Sequence, residues 1–241
     1  MVSQRTVQPW RTIASVMTPE GLLELRQRGE GSTLITIAGR VLMTSDAHRS
    51  EDLLARLACA PLAGRPRPRV LLGGLGMGYT LRAALDALPA AAEVTVVDLN
   101  GCVVDWCRGP IAALSGRALD DPRVKVLVAD VAHVIAAAPA ASLDAIVLDL
   151  YEGPHEATSG PSSPLYGPAA LDRSRTALRP GGILAVWSEE PDLPFETRLR
   201  ATGFAFERHR SGKGGRAHIV YLGIRPDKPA APPTSAPRRR R

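Results

Sequence analysis

Short, almost uninterrupted apolar runs alternate with amphipathic segments over much of the chain. A run such as 145–148 has no polar position, which is typical of a strand buried on both faces of a parallel sheet. Strands are predicted at 70–73, 93–98, 123–128, 143–149, 203–208 and 217–224. A further strand is predicted in 178–187, directly after a turn at the start of that segment. Helices are predicted at 79–88, 102–114, 131–137, 168–178 and 194–202. This alternation predicts an α/β fold: a Rossmann-like, doubly wound, mostly parallel seven-stranded sheet.

A different pattern precedes that region. Residues 32–44 form two β-rich runs broken at Ala38 and Gly39, which predicts a hairpin. A short segment with helical spacing follows, and 61–68 is rich in proline and glycine. We therefore predict a small N-terminal β-hairpin and helix element at 1–65, and a main domain at 66–225.

The charge is concentrated at the C-terminal end. The chain has 241 residues and a net charge of +6, but residues 225–241 hold six basic residues and one acidic residue, so the rest is almost neutral. The proline-rich segment 226–241 is predicted to be a disordered basic tail, either simply solvated or in weak contact with a polyanion. Because aromatic residues make up only 4% of the chain, nucleic-acid binding is not favoured.

The cysteine pattern and the lack of long apolar runs indicate in which cellular compartment the protein is expected. Cys59, Cys102 and Cys107 are odd in number and lack a C-x-x-C spacing, so we expect neither a disulfide framework nor a metal site. No leader pattern opens the sequence, and no apolar run approaches the roughly 18 residues of a membrane helix. A cytoplasmic protein without a membrane partner is expected.

The most informative segment is 70–82, where an apolar strand enters a glycine-dense turn and a helix begins directly afterwards. Gly74, Gly76 and Gly78 permit positive φ, and the helix start offers unpaired N–H groups to a nucleotide. Asp98 ends the next strand 22 residues after Gly76, at the spacing that presents a carboxylate to a ribose diol. A nicotinamide dinucleotide is an alternative ligand, although the glycine spacing is G-x-G-x-G rather than G-x-G-x-x-G.

Acidic residues follow three successive strands. Ligands of open α/β sheets collect beyond the carboxyl ends of the strands. Asp98 is therefore predicted to bind the ribose, and Asp130 to accept a hydrogen bond from the exocyclic amine of adenine. Asp149 is predicted to face the reacting group. The alternative role for each is capping the following helix.

The sequence resembles the spermidine synthase family of class I S-adenosylmethionine-dependent transferases over most of 34–190. The family's G-G-G-D-G-G-T-L-R, V-E-I-D, D-D-P-R-V, G-D and L-K-P-G-G segments correspond to 74–82, 97–100, 120–124, 129–130 and 178–182. The resemblance implies a class I methyltransferase-type fold with S-adenosylmethionine or its decarboxylated form as cofactor. It implies cofactor contacts from Gly74, Gly76, Met77, Gly78, Asp98, Leu99, Asp130, Val131 and Asp149.

The sequence departs from the family around the acceptor. Met77 replaces the acid of the glycine turn, the D-x-x-D segment reads Asp149 to Glu152, and Arg49 replaces the tyrosine of a Y-x-E segment that ends at Glu51. The family's aromatic, proline-rich stretch has no counterpart in 209–220. Because an arginine opposes a dicationic polyamine, these changes disfavour polyamine synthesis.

We therefore predict methyl transfer from S-adenosylmethionine to a small molecule. Asp149 is the first candidate for the base or for orienting the acceptor, followed by Glu152 and His155, the latter in a glycine-, proline- and serine-rich lid at 153–167. The predicted acceptor pocket contains Arg49, which could pair with an acceptor carboxylate, Glu51, Tyr151 and Tyr166. An aminopropyltransferase and a non-catalytic adenosyl-binding scaffold are the alternatives, and a homodimer is left open.

Overall fold

The computed structural model describes residues 8–29, 31–151, 153–155, 160, 162–212 and 218–227. An N-terminal sheet contains β1 Arg11–Thr18, β2 Gly21–Arg28, β3 Ser32–Ile37 and β4 Arg40–Thr44, and α1 Arg49–Cys59 follows it. The main sheet contains β5 Arg69–Gly73, β6 Glu93–Asp98, β7 Val124–Val128, β8 Leu143–Leu148, β9 Leu178–Ser188, β10 Ala205–Arg210 and β11 Ile219–Ile224. Its helices are α2 Tyr79–Ala87, α3 Gly101–Arg108, α4 Val131–Ala137, α5 Pro168–Ala177 and α6 Leu193–Ala201.

The main sheet confirms the predicted fold class. Its order is β10-β11-β9-β8-β5-β6-β7, with β5 to β9 parallel and β11 antiparallel to both of its neighbours. The chain runs outwards from β5 through β6 to β7 and then returns to place β8 on the other side of β5. A crevice therefore opens beyond the carboxyl ends of β5 and β8, where ligands of open α/β sheets bind.

The N-terminal element is larger than the predicted hairpin. The predicted hairpin is β3 and β4, joined at Ala38 (φ 46°) and Gly39 (φ 78°), a pair of positive φ angles typical of a two-residue type I′ turn. Two further strands, β1 and β2, precede it and complete an antiparallel four-stranded sheet in the order β1-β2-β3-β4. β1 was missed because most of its residues are exposed, so it lacks the alternation that marks a half-buried strand.

Two other predicted boundaries were wrong. The helix predicted at 102–114 ends at Arg108, because Gly109 and Pro110 interrupt it, and a short 3₁₀ helix follows at Ala112–Ser115. β9 begins at Leu178 rather than after the Pro-Gly-Gly turn, since Leu178 already pairs with Leu143 of β8, and the register then shifts before Ala145 pairs with Ile183. This irregularity accommodates Gly181 at φ 70°.

The N-terminal element and the main sheet share one hydrophobic core. Leu54 and Ala58 of α1 are fully buried in the same cluster as Leu72 of β5, Met77 of the glycine turn and Val94 of β6. The division at residue 65 stays a prediction.

Among the described residues, no helix is long and apolar enough to cross a bilayer. Most of the predicted tail, residues 228–241, lies outside the described residues.

A buried carboxylate ties the start of β8 to its surroundings, at the end of the sheet opposite the crevice. Asp144 is fully buried and accepts bonds from Arg65 (2.5 Å), Arg179 (2.9 Å) and the backbone N–H of Arg69 (2.7 Å). The two guanidinium groups come from the segment before β5 and from β9. Asp144 therefore links three consecutive parts of the sheet.

Candidate functional site

The glycine turn joins β5 to α2 at the crevice. Gly74, Gly76 and Gly78 have φ of 89°, 52° and 83°, a left-handed conformation that side chains other than glycine rarely adopt. A Cβ at Gly74 would also overlap the carbonyl oxygen of Asp149. No side chain of the described residues caps α2, so the first N–H groups of this helix are directed at the crevice without a side-chain acceptor.

Asp98 lies at the end of β6 with its carboxylate beside the turn. Oδ2 accepts from the backbone N–H of Leu75 and Oδ1 from that of Asn100, each at 2.9 Å. Burial raises the pKa of this carboxyl, while these backbone hydrogen bonds oppose the rise. The N–H of Gly76 also acts on this carboxyl, so of its about four acceptor positions at least one remains for a ribose hydroxyl.

Apolar side chains flank this carboxylate at the same edge. Leu99 is 57% exposed and Val128, at the end of β7, is 59% exposed, so both offer an apolar surface to a flat ring. Asp130 Oδ1 caps α4 by accepting from the N–H of Ala132 at 2.8 Å, and its other oxygen makes no bond this short to the described residues. Val131 is buried, with its side chain against Gly73 at the end of β5, and its predicted contact with the cofactor stays a prediction.

Asp149 follows β8 and is the most perturbed carboxyl of the site. Burial raises its pKa to about 7, and the charge of Glu51 contributes to the rise, whereas a hydrogen bond from the Thr80 hydroxyl opposes it. Tyr166, which is 4% exposed, lies close enough that Asp149 adds to the effect of burial in raising the tyrosine pKa. The structure thus brings together Asp149, Glu51 and Tyr166, three of the predicted residues.

Glu51 is held by a chain of polar contacts. Its Oε2 lies 2.6 Å from the Ser50 hydroxyl, which in turn lies 3.0 Å from Nδ1 of His218. The imidazole of His218 packs against the ring of Trp187 with centroids 4.9 Å apart. Ser50 and His218 were not predicted, because residues 168 positions apart carry no common sequence signal.

The other predicted residues lie at different places. Tyr151 is 43% exposed, with the guanidinium of Arg40 5.4 Å from its ring centroid. His155 is half-buried in the loop after β8, and Glu152 lies outside the described residues. Arg49 is exposed and lines, with Arg56 and Arg210 among others, a groove of about 370 Å³ on the outer side of α1.

Met77 faces the core instead of the crevice. Its side chain is fully buried in the larger hydrophobic cluster, and its backbone N–H lies 3.3 Å from Sδ of Met43 in β4. The same sulfur would lie 2.8 Å from a Cβ at Gly76. The N-terminal sheet therefore supports the glycine turn from behind.

Two stacked aromatic rings connect α1 to the end of the glycine turn. His48 stacks on Tyr79 with ring centroids 4.1 Å apart and an interplanar angle of 14°. Tyr79 directly follows the glycine turn, so the stack joins the start of α1 to the start of α2. Among the described residues, no group of three or more His, Cys, Asp or Glu side chains is arranged to hold a metal ion.

Solved structures share this architecture. A spermidine synthase in complex with the transition-state analogue AdoDATO has a TM-score of 0.72 at 19% identity, over 91% of this chain and 74% of that one. The spermidine synthase from Thermotoga maritima has a TM-score of 0.70 at 18% identity, over 91% of this chain and 75% of that one. These matches establish the fold.

Curated relatives are similar in sequence. Putrescine N-methyltransferase 4 of Nicotiana tabacum is 32% identical over 130 residues, which are 54% of this chain and 32% of the relative, so the chain matches about a third of that protein. Polyamine aminopropyltransferase 2 of Pseudomonas aeruginosa is 30% identical over 183 residues, 71% of this chain and 51% of the relative. The spermine/spermidine synthase domain family matches residues 56–198, more than half of the chain. The resemblance predicted from the motifs is confirmed, and the chain belongs to this family.

Proposed function

We propose that this protein is an S-adenosylmethionine-dependent N-methyltransferase whose acceptor is a small amine. The observation that carries the proposal is Asp149, a half-buried carboxyl with a pKa of about 7, placed where the carboxyl end of β8 meets the glycine turn. A base with such a pKa is ionised in part at neutral pH and still accepts a proton readily.

The residues at the crevice fit an adenosyl cofactor. Asp98 has acceptor capacity left for a ribose hydroxyl, and the exposed apolar side chains of Leu99 and Val128 suit the two faces of an adenine ring. When bound, S-adenosylmethionine supplies an electrophilic methyl group on a sulfonium. The protein has to align the acceptor with that methyl group and remove a proton from it.

The acceptor side of the crevice suits an amine. Asp149 and Glu51 supply negative charge, and Tyr79 and Tyr166 supply buried aromatic surface next to it. Ionised Asp149 takes the proton from an ammonium, and the nitrogen lone pair is then free to attack. The neutral carboxylic acid returns its proton to solvent after the methylated amine leaves.

Arg49 does not oppose this interpretation. The sequence places an arginine where a cationic acceptor is disfavoured, but the side chain lines the outer groove with Arg56 and Arg210, while Ser50 and Glu51 face His218 and Asp149. A role of Arg49 in binding an acceptor carboxylate stays a prediction. The putrescine N-methyltransferases among the relatives support an amine acceptor.

Aminopropyl transfer is the second candidate. It is supported by the match to the aminopropyltransferase of P. aeruginosa, which covers more of this chain than the match to the methyltransferases. Against it stands Met77, an apolar residue directed into the core at the turn position where the resemblance implies an acid for the aminopropyl amine. We therefore favour methyl transfer.

Product analysis tests the proposal. The protein is incubated with putrescine and either S-adenosylmethionine or its decarboxylated form, and the products are identified by mass spectrometry. We expect N-methylputrescine with the first donor and no spermidine with the second, and we expect Asp149→Asn to abolish the product. Spermidine formed from the decarboxylated donor would favour the second candidate. If neither product forms and calorimetry detects no binding of S-adenosylmethionine, both proposals fail.

A further inference from the structure

His218 contacts the predicted acceptor site from the opposite end of the chain. It lies directly before β11, and its Nδ1 is 3.0 Å from the hydroxyl of Ser50 in the first turn of α1. Ser50 is 5% exposed, and its hydroxyl lies 2.6 Å from Oε2 of Glu51. Three side chains from two distant segments thus form one chain of contacts that ends at the Glu51 carboxylate, whose charge acts on Asp149.

The hydroxyl of Ser50 carries only one proton, and this fixes the direction of the contacts. An ionised Glu51 can only accept, so the Ser50 proton points to Glu51, and the Ser50 oxygen must then accept from His218. His218 therefore carries a proton on Nδ1. In this arrangement the Ser50 hydroxyl, which itself contacts His218, holds the Glu51 carboxylate in one orientation.

The position of the imidazole is itself fixed by its surroundings. The backbone N–H of His218 donates to the Ser211 hydroxyl and its carbonyl accepts from the Ser211 N–H, both at 3.0 Å. The edge of the ring packs against Trp187 of β9 at 61°. With its backbone bonded to Ser211 and its ring against Trp187, His218 directs Nδ1 to Ser50.

We propose that His218, acting through Ser50, is a positioning residue that fixes the orientation of the Glu51 carboxylate at the predicted acceptor site. The inference rests on the proposed function for its catalytic meaning, since Asp149 is the base there. The orientation of Glu51 and its electrostatic effect on Asp149 can be measured without turnover.

The orientation of Glu51 affects the ionisation of Asp149. The groups acting on Asp149 are Glu51 from α1, the Thr80 hydroxyl from α2 and its own burial, and Asp149 acts in turn on Tyr166 before α5. Glu51 also acts on Tyr79, together with Asp46 and Asp52. If Glu51 becomes neutral or turns away, its repulsion is lost and the pKa of Asp149 falls.

Two substitutions at His218 separate positioning from packing. His218→Asn keeps an N–H donor close to the position of Nδ1 but loses the ring, whereas His218→Phe keeps a ring against Trp187 but loses the donor. The inference predicts that Asn preserves the properties of Asp149 and that Phe and Ser50→Ala do not. A purely structural role of the ring predicts the opposite order. His209→Phe, on the edge strand β10 beside Glu207, is the matched control and should have no effect.

The measurement is a carbon NMR titration of protein labelled at the aspartate carboxyl carbon, with the Asp149 signal assigned from its loss in Asp149→Asn. We expect the Asp149 midpoint to fall by about half a pH unit or more in His218→Phe and Ser50→Ala, and to stay unchanged in His218→Asn and His209→Phe. Nitrogen NMR should find the proton of the His218 ring on Nδ1. An unchanged midpoint in His218→Phe, or a neutral ring protonated only on Nε2, would overturn the inference.

Turnover with putrescine and S-adenosylmethionine gives the catalytic readout. The acidic limb of the kcat/KM profile should move to lower pH in His218→Phe together with the NMR midpoint. If the wild-type protein shows no turnover but the midpoint shifts as expected, the proposed function fails and the positioning role stands. If turnover occurs and the midpoint does not shift, the positioning role fails and the proposed function stands.

Discussion

The hydroxyl of Thr80 donates a hydrogen bond to Oδ2 of Asp149, so the first turn of α2 stabilises the ionised form of the carboxyl that follows β8. Burial and Glu51 act in the opposite direction and raise the pKa of Asp149 to about 7. Both effects act on one half-buried carboxyl at the predicted site of proton removal. Its ionisation can therefore be shifted either way by a single substitution.

The pH dependence of activity should follow Asp149. We expect kcat/KM for methyl transfer to putrescine to rise as the pH increases through about 7, because only the ionised carboxylate accepts a proton. Thr80→Val removes the stabilising donor and should move this rise to higher pH. Glu51→Gln removes a like charge and should move it to lower pH. Stopped-time assays between pH 5.5 and about 9 test both shifts; equal midpoints in the three proteins would contradict the assignment of Asp149 as the base.

Stability should also depend on Asp149. Its folded pKa lies above the ordinary value, so the folded state binds more protons than the unfolded state between about pH 4 and 7, and stability falls as the pH rises through that window. Asp149→Asn cannot ionise and should be more stable than the wild type by about 2 to 4 kcal/mol at pH 8. The difference should shrink as the pH is lowered to 5. Urea denaturation at both pH values measures it, with exposed Asp172→Asn as the control.

Ribose recognition by Asp98 predicts a loss of cofactor affinity. Asp98→Ala should weaken the binding of S-adenosylhomocysteine by about 1.5 to 3 kcal/mol, because a hydrogen bond to a charged acceptor is lost. Asp98→Asn keeps one acceptor oxygen and should lose less. Calorimetry with Asp105→Ala, an exposed carboxylate of α3, as the control provides the comparison. Equal affinity in Asp98→Ala and the control would remove Asp98 from the cofactor site.

The buried ion cluster at the start of β8 should contribute strongly to stability. Asp144→Ala leaves Arg65 and Arg179 without their buried partner and should lower the free energy of unfolding by about 3 to 5 kcal/mol. Glu93→Ala breaks the exposed pairs with Arg67 and Arg69 and should cost less than about 1 kcal/mol. Denaturation of both variants under the same conditions tests the contrast; similar costs would show that Asp144 is no more important than a surface charge.

The parallel strands were predictable because burial on both faces produces apolar runs without interruption. The segment 145–148 and β5 are examples, and the turn that follows β5 was located from its glycines. β1 was not predictable in the same way, since an exposed strand is paired through its backbone and leaves little trace in the side chains. Helix ends depended on proline and glycine, as at Gly109 and Pro110.

The site was predictable where strand ends define it and where a family motif marks a residue, as at Glu51. Asp98, Asp130 and Asp149 follow parallel strands, so the sheet itself brings them to one edge. The approach of Glu51 to Asp149 depends instead on how α1 packs, and the contact of Ser50 with His218 joins segments at opposite ends of the chain. Neither relationship has a local pattern that a sequence could show.

The contact of Met43 with the glycine turn limits where the chain can be divided. Its sulfur lies against the turn at Gly76 and Met77, yet the family domain as matched begins at residue 56, inside α1. A recombinant fragment cut at that point would retain the parallel strands but lose the sulfur behind the turn, the Glu51 carboxylate and half of a helix. Grafting the catalytic region into another scaffold therefore requires the four preceding strands as part of the transplanted unit.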